Sequence, residues 1–181
     1  MEDDKEILEA FKEEGRQDYA FNLLVRRYSR DLYWRIRRMV FDHDEADDLL
    51  QNTLIKAWKY LPDFREDCKL YTWLYRIAVN ETLNYLKSKR LKTMFTLTGK
   101  EKTLADKFTA DPYFNGDEIV RRLYAAIDKL PPKQKIIFTM RYFEGMKFDE
   151  IAQVLKQSTG SAKASYHHAY VKIQKFLEDH D

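Results

Sequence analysis

Residues 148–176 read Phe148-Asp149-Glu150-Ile151-Ala152-Gln153-Val154-Leu155, Lys156-Gln157-Ser158, then Thr159-Gly160-Ser161-Ala162-Lys163-Ala164-Ser165-Tyr166-His167-His168-Ala169-Tyr170-Val171-Lys172-Ile173-Gln174-Lys175-Phe176. A short segment, a three-residue turn and a longer basic segment have the proportions of a helix-turn-helix. In the longer segment Ala162, Tyr166, Ala169, Ile173 and Phe176 recur at helical spacing and form the stripe expected to be buried. Ser161, Lys163, Ala164, His167 and His168 fall on the outward surface near the helix start, where a recognition helix presents side chains to base edges in the major groove. Lys, Ser and neutral His donate to phosphate or base acceptors, and small Ala164 permits close approach. Ser158 is placed to cap this helix, whose positive end would add to phosphate attraction. An ordinary helical hairpin with a solvated basic face shares the pattern. Adjacent His167 and His168 point about 100° apart on a helix and lack a third ligand, so no metal site is expected there.

The rest of the chain carries the same period. Phe21, Leu24, Tyr28 and Leu32, then Leu49, Leu50, Leu54, Ala57 and Trp58, then Leu74, Ala78 and Tyr85 recur at three- and four-residue spacings, and no stretch alternates long enough for a strand. Five Gly and four Pro in 181 residues are less than half of the roughly 12% that average usage supplies. The expected fold class is all-α, with two small helical domains joined by a flexible linker, the C-terminal one containing the helix-turn-helix. Leu61 to Lys69 reads as a loop between two helices. Residues 93–117 lose the pattern and end in Asp111-Pro112-Tyr113-Phe114-Asn115-Gly116-Asp117, the best linker candidate. The domains are therefore expected at 1–92 and 118–181. Leu130-Pro131-Pro132 separates two further helices, with Pro tolerated in a first turn, and Gly145 follows the second as a helix stop.

Mean hydropathy is −0.65, and no apolar run approaches the ~18 residues of a membrane span. The acidic start Met1-Glu2-Asp3-Asp4-Lys5-Glu6 is unlike a secretory signal. A lone Cys68 fits a reducing, cytoplasmic setting. The net charge of +2 conceals segregation: Glu2 to Glu14 and Phe41 to Asn52 are each net −5, Gly15 to Val40 is +5, and Tyr71 to Lys92 and Lys156 to Lys175 are each +4. Blocks of alternating sign suggest separate surfaces for separate partners, or simply solvated helix faces.

Two more constellations carry chemistry. In the segment Tyr71 to Lys87, one helical face collects Trp73, Arg76, Ile77, Asn80, Asn84 and Lys87. An aromatic ring, two amides and two cations supply what unstacked single-stranded bases need, namely stacking, hydrogen-bonding edges and phosphate neutralisation. Lys89, Arg90 and Lys92 extend the cationic track; a core Trp73 with solvated amides is the other reading. The acidic stretch Asp42 to Asn52 holds no glycine for a calcium turn and no carboxylate pair matched to a nucleophile. Its acids suit a helix N-terminus, and Asp48, Gln51 and Asn52 beside Leu49 and Leu50 suit a protein partner. No phosphate-binding loop, catalytic triad or zinc signature is present, so no catalytic residue, metal, cofactor or small-molecule substrate is expected.

Glu45-Ala46-Asp47-Asp48-Leu49-Leu50-Gln51-Asn52-Thr53 through Trp58, then Trp73-Leu74-Tyr75-Arg76-Ile77-Ala78-Val79-Asn80, then Leu130-Pro131 with Glu150-Ile151-Ala152 and Gly160-Ser161-Ala162-Lys163, resembles bacterial sigma factors of the extracytoplasmic-function type. About Asp18 to Lys92 looks like conserved region 2 and about Asp117 to Asp179 like region 4. The resemblance implies a non-enzymatic subunit that binds core RNA polymerase and directs it to promoters, and family members are often held by an anti-sigma factor. It implies core docking through Asp47, Asp48, Leu49, Gln51 and Asn52. It also implies capture of a melted −10 element by Phe64, Trp73, Arg76, Ile77, Asn80, Asn84 and Lys87, and reading of the duplex −35 element by Ser161, Lys163, Ala164, His167 and His168. Family members commonly carry Thr-Val where Ser161-Ala162 stands, and a Ser or Thr cap where Lys147 stands, which would shorten the first helix of the pair. A stand-alone helix-turn-helix regulator is the alternative, and an all-helical enzyme using the carboxylates of Asp42 to Asp48 is a third reading.

Overall fold

The computed structural model describes residues 2–95 and 118–179; most of the expected linker, residues 96–117, lies outside them. Among the described residues there are helices and turns and no strand. In chain order they are α1 (Glu2–Lys12), α2 (Gln17–Val40), α3 (His43–Tyr60), a 3-10 turn (Leu61–Asp63), α4 (Leu70–Phe95), α5 (Glu118–Asp128), α6 (Pro132–Tyr142), α7 (Phe148–Leu155) and α8 (Thr159–Glu178). The chain divides into two compact units, Met1–Thr82 and Leu83–Asp181, and the division falls within α4.

In the first unit α2 is the central element. Ala20, Leu24, Tyr28, Leu32, Ile36 and Val40 recur every four residues and are all buried, so one continuous stripe faces the core. Both α1 and α3 pack against it. α2 stops at Phe41, whose left-handed φ of 63° lets its backbone N–H reach the Arg37 carbonyl. Left-handed backbone costs a residue with a Cβ about 1–2 kcal/mol, and burial of the Phe41 ring, worth about 1.5–3 kcal/mol, offsets it. Asp42 then caps α3 by accepting from the Glu45 N–H at 3.2 Å. α4 joins through Leu70, Leu74, Tyr75, Ala78 and Val79, all buried. Its Tyr71 ring lies 5.5 Å from Tyr28, and the Arg35 guanidinium sits 5.4 Å over Tyr71 and 4.9 Å over Tyr75. Lys56 of α3 is paired at 2.5 Å with Glu81 of α4.

In the second unit α8 packs against α5, α6 and α7. α6 opens on Pro132 and buries Lys135, Ile136, Ile137, Phe138, Thr139 and Met140 consecutively, which only a helix covered on several sides can do. Buried Lys135 is matched by Asp128 at 2.6 Å, as a charge removed from water requires. α7 begins at Phe148, so the shortening expected from the lack of a Ser or Thr at position 147 does not occur: the Glu150 carboxylate accepts from the Lys147 backbone N–H at 2.7 Å, and the capping bond comes from within the helix rather than from a Ser or Thr before it.

The Tyr28 hydroxyl donates to Asp4 of α1, and burial, followed by this bond, pushes the phenol up to about 12. The unfolded phenol ionises near 10. Between about pH 10 and 12 the unfolded chain therefore holds fewer protons than the native one, and stability falls as pH rises. Tyr28→Phe is expected to flatten the alkaline limb of the stability profile over that window, measured by urea denaturation at stepped pH.

Candidate functional site

Three surfaces emerge from the residues upward. The first lies on α3. After the Asp42 cap, His43 Nδ1 meets the Tyr33 hydroxyl at 2.6 Å and its Nε2 lies 3.4 Å from Asp47, so Asp47 is oriented from α2. Burial pushes the Tyr33 phenol up. Asp48, Gln51 and Asn52 are exposed and Asp47 is half-buried. Leu49 differs from the expectation that it belongs to the outer patch: it is buried, because its position on α3 turns with Ala46, Thr53 and Ala57 toward the core. Ile55, 65% exposed, stands on the outer face instead; its spacing of seven from Asp48 was the signal, and the sequence reading passed over it.

The second surface follows the 3-10 turn. Phe64 closes that turn through its N–H to the Leu61 carbonyl at 3.1 Å, and its ring packs 5.1 Å from Trp73 at a tilt of 45°. Trp73, Arg76 and Ile77 are half-buried, and Asn80, Asn84 and Lys87 are exposed along the same helix. Arg76 Nη1 reaches Cys68 Sγ at 3.7 Å. Burial of Leu74, Ala78 and Val79 fixes the rotation of this part of α4, so the Trp73 ring, the Arg76 cation and the Asn80 amide lie in one row on the helix. α4 itself runs to Phe95, further than the sequence pattern carried it.

The third surface is α8. Ser158 caps it, accepting from the Ser161 N–H at 3.1 Å. Ala162, Ala169 and Ile173 are buried and Tyr166 and Phe176 are half-buried, and burial pushes the Tyr166 phenol up. Ser161, Lys163, Ala164, His167 and His168 are all exposed. Thr159 Oγ1 donates to Asp149 Oδ1 at 2.7 Å, tying the start of α8 to the start of α7. Arg141 closes the preceding turn by donating to the Met146 carbonyl at 2.9 Å. Among the described residues no group of three or more His, Cys, Asp or Glu side chains is arranged to hold a metal ion, and no helix is long and apolar enough to cross a membrane.

Residues 24–92 match Sigma-70 region 2, and residues 120–173 match Sigma-70 region 4. Along 98% of its length the chain is 31% identical to the RNA polymerase sigma-H factor of Pseudomonas aeruginosa, covering 95% of that protein. The ECF RNA polymerase sigma-E factor of Haemophilus influenzae is 30% identical over 88% of each chain. The chain belongs to the extracytoplasmic-function sigma factors. In fold the protein resembles the sigma factor RpoE of Bartonella quintana, solved with the anti-sigma factor NepR (TM-score 0.65, 21% identity, 87% of this chain and 96% of that one). It also resembles CnrH, solved with the cytosolic domain of CnrY (TM-score 0.64, 23% identity, 99% of each). As a sigma factor the chain directs RNA polymerase to promoters, and the stand-alone regulator gives way to this reading.

The different burial of two neighbours on α3 yields a stability test in this sigma factor. Leu49→Ala removes buried methyl groups and is expected to cost about 2–5 kcal/mol, whereas Asp48→Arg, on an exposed position, should stay within about 0.5 kcal/mol. Urea denaturation of both variants checks this.

Proposed function

We propose that the sigma factor divides its work along the chain: residues 1–92 bind core polymerase and the melted −10 element, residues 93–117 link, and residues 118–181 read the −35 duplex. Asp47, Asp48, Gln51 and Asn52 present the core-docking face of α3, and buried Leu49 holds that face in place. Phe64, Trp73, Arg76, Ile77, Asn80, Asn84 and Lys87 take the single strand. Ser161, Lys163, Ala164, His167 and His168 meet the major groove. The protein acts in the cytoplasm without cofactor or catalytic residue, and an anti-sigma factor is its expected inhibitor, as NepR and CnrY accompany the two structures it resembles.

The observation that carries this reading is the row on α4. Extruding a base costs a few kcal/mol of lost pairing and stacking, and a protein recovers it only by offering a stacking surface and hydrogen-bonding edges together. Phe64 and Trp73 form an aromatic wall 5.1 Å between centroids, and exposed Asn80 stands two turns further along the same helix, with Ile77 between. Base–aromatic stacking contributes about 1–3 kcal/mol per base, enough to offset the extrusion. On α8 the outward set contains a single lysine, Lys163, so duplex affinity rests on few phosphate contacts, each of which contributes counterion release.

Asp48→Arg is expected to abolish core polymerase binding while leaving duplex DNA contacts intact, read by co-purification with core enzyme and by DNA mobility shift. Asn80→Ala should slow promoter opening more than it weakens polymerase binding, read by permanganate reactivity of −10 thymines. Normal opening by Asn80→Ala would refute the single-strand assignment. Promoter affinity of the free chain should be weak and should rise sharply when core enzyme is added, across a salt titration.

A further inference from the structure

The last turn of α1 reaches the loop that follows α3. Lys12 Nζ donates to Glu66 Oε1 at 2.8 Å, joining residues 54 apart in sequence. α1 is a firm anchor for such a contact. Ile7 and Ala10 are buried, Asp4 accepts from Tyr28 and lies 3.5 Å from Arg27 Nε, and the Tyr19 hydroxyl donates to Glu6 at 3.1 Å. The Phe11 ring meets Trp58 edge-on at 5.7 Å. The neighbouring acid Glu13 is engaged by Arg16 at 2.8 Å, so Lys12 is directed away from its own helix and toward the loop.

Glu66 is the residue of this loop that most needs holding. Its φ of +59° is left-handed, a conformation that crowds the Cβ against the following carbonyl. Strain of this kind persists only where the surroundings impose it. Two residues before it, Phe64 leans on Trp73; two residues after it, Cys68 contacts Arg76. The Lys12 ammonium grips the loop between these two ties.

We propose that Lys12 is a positioning residue for promoter opening: by clasping Glu66 it holds the loop from Phe64 to Lys69 in the shape that sets the Phe64 ring beside Trp73. The inference rests on the reading that this loop and α4 capture the melted strand. It gives the acidic N-terminal segment a task, which is to carry a cation to the loop: the other lysine of α1, Lys5, stands 3.6 Å from Glu9 on its own helix, which leaves Lys12 to take Glu66 as its partner.

The chain's single cysteine, Cys68, reports loop order directly. The experiment measures the rate at which the uncharged reagent N-ethylmaleimide labels Cys68 in the full-length protein, and the rate of −10 opening by the reconstituted holoenzyme, for Lys12→Ala, Glu66→Ala, Lys12→Glu, Glu66→Lys and the double exchange Lys12→Glu/Glu66→Lys. Because the pair is solvent-exposed, each single change should raise labelling and slow opening by about two- to five-fold, with core affinity unchanged. The double exchange should restore both rates, a rescue that a merely structural lysine would not show. Unchanged Cys68 labelling in Lys12→Ala, or a double exchange that restores nothing, overturns the proposal. Opening at the wild-type rate by Lys12→Ala, with Phe64→Ala and Asn80→Ala both impaired, overturns the proposal and leaves the strand-capture reading standing. Normal opening by Phe64→Ala and Asn80→Ala removes that reading and the proposal with it.

Discussion

The rotation of α4 about its own axis is the constraint on which the first unit depends. Leu70, Leu74, Tyr75, Ala78 and Val79 are buried, and Arg35 of α2 covers the stacked rings of Tyr71 and Tyr75. A helix gripped along that side cannot turn without exposing leucine and valine, at a cost of about 1.5–3 kcal/mol for each large side chain. The opposite side is thereby fixed in direction, and it is the side that holds Trp73, Arg76, Ile77, Asn80 and Asn84. Hydrophobic burial thus aims these polar groups in advance, and on the proposed assignment this lowers the ordering entropy that capture of a single strand must overcome.

The second unit solves the same problem with two small residues among larger ones. α8 is seated by buried Ala162, Ala169 and Ile173 and by Tyr166, whose ring lies 5.6 Å from both Phe138 and Phe148, and the two alanines bring its backbone close to its neighbours. Close seating leaves little side-chain freedom in the interface, so the angle between α7 and α8 is set by backbone shape, by the Thr159–Asp149 bond and by left-handed Lys156 in the turn. Gly would adopt that conformation with less strain; Lys156 keeps a cation at the turn instead. On the proposed assignment this choice adds a phosphate-directed charge where the two helix starts converge.

The sequence carried the helical class, the loop at Leu61 to Lys69, the cap at Ser158 and the outward residues of α8, because each depends on periodicity or on a local hydrogen bond. Exposure of Asn80, Asn84, Lys87 and the α8 set follows from the same wheel. Three features escaped it, each for a physical reason. α1 was masked by its charge: Ile7, Ala10 and Phe11 have helical spacing, but seven acids surround them, and only docking on α2 makes the segment a core element. Leu49 lies within a stretch whose surface residues suggest docking, yet burial is decided by which side of α3 meets α2, and that is a tertiary fact. The pairing of Lys12 with Glu66 joins two charged segments far apart in the chain, where no local pattern could announce it. The family motifs themselves identified the protein sooner than any single patch did.

Formal net charge is +2, so from beyond a Debye length of about 8 Å the free chain looks nearly neutral. Closer in, the Lys87 to Lys92 track and the outer face of α8 each concentrate cations along a short stretch of helix, and each can engage only a few phosphates. Modules of this kind bind weakly alone. Held at fixed separation, they convert the second contact into an intramolecular event whose effective concentration multiplies the affinities. On the proposed division of labour, the acidic face of α3 provides that hold by docking on polymerase, so one surface of the chain regulates the strength of the others. Near-neutrality is then the condition for selectivity: a more basic chain would adhere to non-specific DNA, where counterion release alone supplies the binding, and would lose its dependence on the enzyme it serves.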